Sequence, residues 1–154
     1  MEEICIKVMR MPGNDDVPLP KYMTVNAAGM DVYAAVPGEV EIKPGERKEI
    51  ATALAIALPA GYEAQIRPRS GLALAHGVTL VNSPGTIDAD FRGEIKLLLI
   101  NLGDKPFVIK RGDRMAQMVV QKVARAQWVL RESLEETVRG PGGFGHTGFR
   151  GAEG

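Results

Sequence analysis

Short runs that alternate apolar and polar residues, or are rich in branched side chains, recur along the chain, broken at frequent intervals by Gly, Pro, Asn and Asp. Frequent strands with little helix specify an all-β domain of the sandwich, barrel or jelly-roll kind. Ile4, Ile6 and Val8 share one face, and Val40 and Ile42 repeat the pattern before Lys43-Pro-Gly-Glu46, where Pro44 and Gly45 suit the centre of a tight turn. Leu54, Ile56 and Leu58 alternate with alanines as far as Pro59, and further strands are expected over 63–67, 78–82, 94–101, 107–109, 114–120 and 125–132. One or two helical turns fit residues 70–76, with Ser70 as cap and Gly77 as stop. A second short helix fits 134–139, because Ser133 and Glu136 have capping-box spacing.

With 154 residues the length suits one domain and one core. Lys and Arg number 19 and Asp and Glu 19, so no broad positive field exists to hold nucleic acid, and aromatic residues are too scarce at 5% to stack successive bases. Phosphate contacts must then be few and placed. The single cysteine, Cys5, excludes an internal disulfide, and two histidines with one cysteine exclude a Cys/His metal cluster. Glu2, Glu3, Lys7 and Arg10 interrupt any apolar leader, and the longest apolar stretch, 50–60, is far short of the roughly 20 residues a membrane helix needs. A cytoplasmic protein without a membrane partner is the expectation.

Five segments carry groups suited to chemistry. In Ala28-Gly-Met-Asp-Val-Tyr33, Asp31 opens a strand beside Gly29; it is either a magnesium ligand, direct or through water, or an ordinary strand-entry carboxylate. Pro68-Arg-Ser-Gly71 follows a strand and opens the first helix, so Arg69 and the free N–H groups there make an anion site, unless Ser70 simply caps. Ser83-Pro-Gly-Thr86 fits a type II turn that brings Asn82 and Lys96 close across a hairpin, whose mouth exposes backbone donors and acceptors able to read a base edge. Just beyond, Asp88 and Asp90 would share a face in an extended chain and be separated by a bend; both are also common turn residues. In Arg111-Gly-Asp-Arg-Met-Ala-Gln117, Gln117 lies between apolar Met115 and Val119, and its amide requires backbone or ligand partners. Last, Arg139-Gly-Pro-Gly-Gly-Phe-Gly-His-Thr-Gly148 is too Gly-rich to pack, yet offers Arg139 and Thr147 to phosphate and Phe144 as a stacking face.

In order and spacing, these segments resemble the five motifs of the trimeric deoxyuridine triphosphate pyrophosphatases, the dUTPases, from Ala27 to Gly148. The resemblance implies a distorted, β-barrel-like jelly roll with one short helix, assembled as a homotrimer with active sites at subunit boundaries. Residues 1–138 form the β domain and 139–154 its flexible lid. The reaction implied is attack of water on the α-phosphorus of dUTP, giving dUMP and pyrophosphate, which limits uracil in DNA and supplies dUMP for dTMP synthesis. Asp88 matches the aspartate that orients and deprotonates the water, and Asp31 the one that holds Mg2+ through its water shell. Arg69, Ser70, Gly71 and Gln117 match phosphate ligands, with Arg139, His146 and Thr147 closing from the tail. Asn82, Gly85, Thr86, Ile87 and Lys96 fall on the hairpin that reads uracil, largely through backbone atoms, and Phe144 where a ring covers the base. Such a hairpin rejects the thymine methyl by shape and cytosine by mismatched hydrogen bonds, which can reach about 10⁴-fold.

Two positions depart from the family pattern. Phe91 stands where a tyrosine is usual, keeping the ring that excludes a ribose 2′-hydroxyl but losing the phenol oxygen. His146 replaces the usual serine, and because imidazoles change charge near neutral pH, the Michaelis constant is expected to vary with pH between roughly 6 and 8. The deoxycytidine triphosphate deaminases share the fold and the Ile-Asp motif but carry a glutamate in the following strand, where this chain has Leu97-Leu-Leu99. A nucleotide-binding trimer without turnover would have no need of Asp88.

Overall fold

The computed structural model describes residues 3–146 and 148, and the alternating runs become strands in chain order: β1 (Lys7–Arg10), β2 (Lys21–Tyr22), β3 (Met30–Tyr33), β4 (Val40–Ile42), β5 (Arg47–Ala51), β6 (Leu54–Ala57), β7 (Tyr62–Pro68), the helix α1 (Ser70–His76), β8 (Val78–Leu80), β9 (Gly85–Ile87), β10 (Lys96–Asn101), β11 (Phe107–Ile109) and β12 (Arg114–Lys122). The chain divides into two units, Met1–Ala124 and Arg125–Gly154, and every element lies in the first.

Every strand pairing is antiparallel. The largest sheet runs β2-β3-β12-β7-β9, a second runs β5-β10-β8, and β1-β6 and β11-β4 form two ribbons. Side chains alternate across a strand, so Val32, Ala64, Ile66, Ala116 and Met118 from the first sheet meet Ile50, Val78, Leu80, Leu97 and Leu99 from the second in one buried cluster with Ile42 and Ile109. Full burial of a branched side chain contributes about 1.5–3 kcal/mol relative to exposure. The other face of the five-stranded sheet is polar, and the site forms there.

Two buried polar residues fix the corners. Asn101 donates from Nδ2 to the carbonyls of Ile42 and Lys105, each at 2.8 Å, and accepts from the Gly103 N–H at 2.9 Å. Thr52 donates to the Ile95 carbonyl at 2.5 Å, and the neighbouring Ala53 adopts a left-handed φ of 57°, held by its N–H donating to Glu94 at 2.9 Å. That corner lets the chain leave β5 for β6, and it ties down residues 94 and 95 just before β10.

Local expectations hold where they rest on local chemistry. Gly45 has φ 78° and the Glu46 N–H donates to the Lys43 carbonyl at 2.9 Å, a closed tight turn. Gly77, at φ 68°, stops α1. Ser70, by contrast, does not cap the helix. Arg69 holds the cap position in extended backbone and no side-chain cap bond forms.

The second unit contains neither strand nor helix among its described residues, so the strand expected over 125–132 and the helix over 134–139 are both absent. Trp128, Leu130, Leu134 and Val138 are almost fully exposed. A strand exists only with a partner, and β-propensity alone supplied none. No helix among the described residues is long and apolar enough to cross a membrane.

Candidate active site

Strand register builds the site. On the outer face of the five-stranded sheet, Gln117 of β12 sits opposite Asp31 of β3 on one side and Arg67 of β7 on the other. Asp31 is 3% exposed, and a buried carboxylate must be compensated. Arg114 Nη1 donates to its Oδ2 at 3.0 Å, and Arg69 Nε lies 3.5 Å from Oδ1. Arg69 also donates from Nη1 to the backbone carbonyl of Arg114 at 2.9 Å. The guanidinium is therefore held at two of its nitrogens, Nε and Nη1, and its Nη2 makes no hydrogen bond among the described residues.

Arg114 and Gln117 are three residues apart, an odd spacing that sets them on opposite faces of a regular strand. A register shift between Arg114 and Ala116 re-aims Arg114 toward Asp31. The turn before it is clamped. The Gly112 N–H donates to the Ala34 carbonyl at 2.8 Å, and Arg111 grips Asp16 at 2.7 and 2.8 Å and Asn14 at 2.9 Å. The Arg111 guanidinium, through that hydrogen bond, holds the Asp16 carboxyl below its ordinary range.

Gln117 is half-buried and its amide makes no hydrogen bond among the described residues. Gly29 makes room for it, since a Cβ at residue 29 would stand 3.3 Å from Gln117 Oε1. Ser70, released from capping, is exposed at the start of α1 beside exposed Gly71. Asp31, Arg69 and Gln117 are thus brought together, with Ser70 and Gly71 next in the chain to Arg69.

The hairpin on which base reading is expected is built from β8 and β10, with the Val81 N–H donating to the Leu98 carbonyl at 2.8 Å. Its mouth carries Asn82 and Lys96, as expected. Between them the chain makes an excursion in which β9 pairs with β7, setting Thr86 opposite Gln65 and Gly85 opposite Ile66. The turn at 83–86 is not type II: the Ser83–Pro84 bond is cis and Gly85 lacks the positive φ that such a turn requires. Gly85 is confined instead by packing, as an added Cβ would meet Asn82 Nδ2 at 3.0 Å. Lys96 Nζ donates to Glu49 Oε1 at 2.6 Å, which raises the lysine's pKa and occupies its side chain.

Asp88 and Ile87 close this excursion. The chain bends after Asp88, whose carbonyl accepts from the Phe91 N–H at 3.1 Å, so Asp88 and Asp90 do not continue a strand. The Asp88 side chain is exposed and joined to no described residue by a hydrogen bond or ion pair. The Phe91 ring lies over Gly93, where an added Cβ would come within 2.6 Å of its tip. Sequence reasoning passed over Gly93, Arg114 and Glu49. An alternation pattern does not announce a bulge or a cross-strand partner.

In the second unit, Arg139 Nε donates to the Gly142 carbonyl at 2.9 Å, and the His146 N–H donates to the Gly143 carbonyl at 2.7 Å. His146 packs over Gly142, where a Cβ would fall 2.5 Å from Nδ1. Phe144 is fully exposed. Thr147 lies outside the described residues.

A braced arginine, an unpartnered amide and a hydroxyl left out of its cap all suit a chain of phosphates, so fold and site together define an all-β phosphate-binding domain. Comparison with known proteins narrows the class. The dUTPase family model matches residues 15–148. The deoxyuridine 5'-triphosphate nucleotidohydrolase of Syntrophotalea carbinolica is 57% identical over 149 residues, 97% of this chain and 100% of that protein. The protein of the same name from Caldanaerobacter subterraneus subsp. tengcongensis is 58% identical over 145 residues, 94% of this chain and 98% of that one. The dUTPase of Staphylococcus bacteriophage 80alpha, solved with dUPNHPP, superposes with a TM-score of 0.85 at 22% identity, over 94% of this chain and 99% of that one. This chain belongs to the dUTPase family, and its fold is the family's jelly-roll-like β fold.

Proposed function

We infer that the protein is a dUTP diphosphatase, hydrolysing dUTP to dUMP and pyrophosphate and so limiting uracil in DNA. The observation that carries this reading is the convergence of Asp31, Arg69 and Gln117 on one sheet face, at the positions where the family resemblance asks for phosphate chemistry. Arg69, Ser70, Gly71 and Gln117 hold the phosphates, while backbone atoms around Asn82, Gly85, Thr86, Ile87 and Lys96 read uracil. Phe91 lies under the deoxyribose. Asp88, exposed and unpaired, takes a proton from the water that attacks the α-phosphorus and aims it in line, a role worth roughly 10²–10⁴-fold.

Residues 139–154 act as the lid, with Arg139, His146 and Thr147 on the outer phosphates and Phe144 over the base. Mg2+ is the proposed cofactor. Among the described residues no cluster of three His, Cys, Asp or Glu exists, so the donor set suits a cation carried chiefly by phosphate oxygens and waters. Asp31 fits that role, because Arg114 takes one lone pair of Oδ2 while Arg69 only pairs with Oδ1 at 3.5 Å, so both oxygens keep acceptor capacity for a metal-bound water. When bound, the ion offsets charge on the triphosphate.

The working unit is a homotrimer. Support comes from the apolar side chains of residues 128–138, left in solvent by a single chain and suited to cover by a second copy. The enzyme acts on free nucleotide in the cytoplasm. Pyrophosphate release from dUTP, UTP, dCTP and dTTP with Mg2+ tests the reading: dUTP alone should turn over rapidly, and Asp88→Asn should lose about 10³-fold in kcat while still binding a non-hydrolysable analogue. Equal cleavage of UTP, or an Asp88→Asn enzyme at full rate, overturns it.

A further inference from the structure

We propose that Arg114 is a positioning residue for nucleotide binding, which neutralises Asp31 from one side so that Asp31 holds Arg69 in its phosphate-facing pose even without a divalent ion. The inference rests on the dUTPase reading for the identity of the anion. Asp31 is 3% exposed, and it meets Arg114 at 3.0 Å and Arg69 at 3.5 Å. Two guanidinium groups share one carboxylate, so each sets how strongly the other is held. Without the charge of Arg114, Asp31 would have Arg69 as its sole described counter-ion, and Arg69 would turn toward it and away from a phosphate. The arrangement is also built rather than incidental. A strand bulge is spent on bringing Arg114 to this face, its carbonyl fixes Arg69 at 2.9 Å, and Arg111 pins the preceding turn to Asp16 and Asn14.

A role for Asp31 confined to the metal predicts something different. In that case, with the metal removed, changing Arg114 would leave nucleotide affinity unchanged, or weaken it only through general loss of positive charge.

The test is calorimetric binding of the α,β-imido analogue of dUTP in EDTA, beside deoxyuridine as a phosphate-free control, to the full-length protein and to Arg114→Gln, Arg114→Lys and Arg69→Gln. We expect Arg114→Gln to weaken the analogue about tenfold, to leave deoxyuridine unchanged, to be largely rescued by Arg114→Lys, and to have no further effect when Arg69 is already Gln. With metal restored, the same change should raise KM more than it lowers kcat. Equal metal-free affinity in Arg114→Gln, or additive losses in the Arg69→Gln background, would overturn the positioning role. If Arg114→Gln misfolds, Arg114→Lys decides, because a loss there as large as in Arg69→Gln rules out positioning by charge. Failure of the unaltered protein to bind the analogue at all instead removes the dUTPase reading.

Discussion

Arg69 and Arg139 have the same side chain and the same proposed ligand, yet they are held in opposite ways. Arg69 is fixed by groups from β3 and β12, at 3.5 Å from Asp31 and 2.9 Å from the Arg114 carbonyl. Arg139 is satisfied by the carbonyl of Gly142, three residues along its own chain, at 2.9 Å. The first is preorganised by the tertiary fold and costs little further ordering on binding. The second can exchange its local bond for a phosphate and return, as a lid requires. On the proposed reading, rigidity is placed where the phosphates are aligned, and adaptability where they enter and leave.

Ending the chain after Val138 should break this comparison most clearly. It removes Arg139 and Phe144 but no strand, so kcat/KM should fall about 100-fold, or ~2.7 kcal/mol of transition-state stabilisation, while the melting temperature holds steady. Steady-state kinetics beside calorimetry checks both halves. A large loss of melting temperature would mean that the tail helps to hold the fold. Asp31→Ala should, besides weakening nucleotide binding, cost stability itself. A broken buried pair costs up to 3–5 kcal/mol, but Arg114 is 42% and Arg69 26% exposed, so water screens them and about 2 kcal/mol is expected in urea titrations.

Gly142→Ala addresses the tail alone. The added methyl collides with the His146 ring, so affinity for the imido analogue should fall several-fold with no change in stability. The smallest effect belongs to the clamp on the β12 turn. Asp16 is ionised more readily in the folded state than its ordinary pKa of about 3.9 implies, so its pairing with Arg111 stabilises the fold above that pH and is lost as pH falls through the lowered value. Asp16→Ala should therefore lower the melting temperature slightly at pH 7, and the difference should shrink as the pH is lowered into the acid range.

How much of this was legible depends on where the information lies. β4, β10 and β11 follow from alternation because one of their faces is buried, β12 follows from its run of apolar residues, and turns such as 43–46 follow from the residues that make them. β5 does not stand out. Only Ile50 in Arg47–Ala51 is fully buried, and the strand exists because β10 lies beside it. The converse failure is residues 125–132, which carry Trp128, Val129 and Leu130 but pair with no strand among the described residues. At the site, Asp31, Arg69 and Gln117 are legible from ordered motifs, whereas Arg114 depends on a bulge that no residue type announces. The cap expected of Ser70 is absent, because a helix start need not be capped by the residue that opens it. Arg69 holds the cap position in extended backbone, and the hydroxyl stays free.

The sequence contains a single tryptophan, and it stands not in the core but at position 128, almost fully exposed in the unpaired arm. Its emission is therefore a built-in gauge of whether that arm is wet or covered. A dilute chain should fluoresce like indole in water, and a blue shift with rising concentration would report subunits meeting, separately from any change in the sheets.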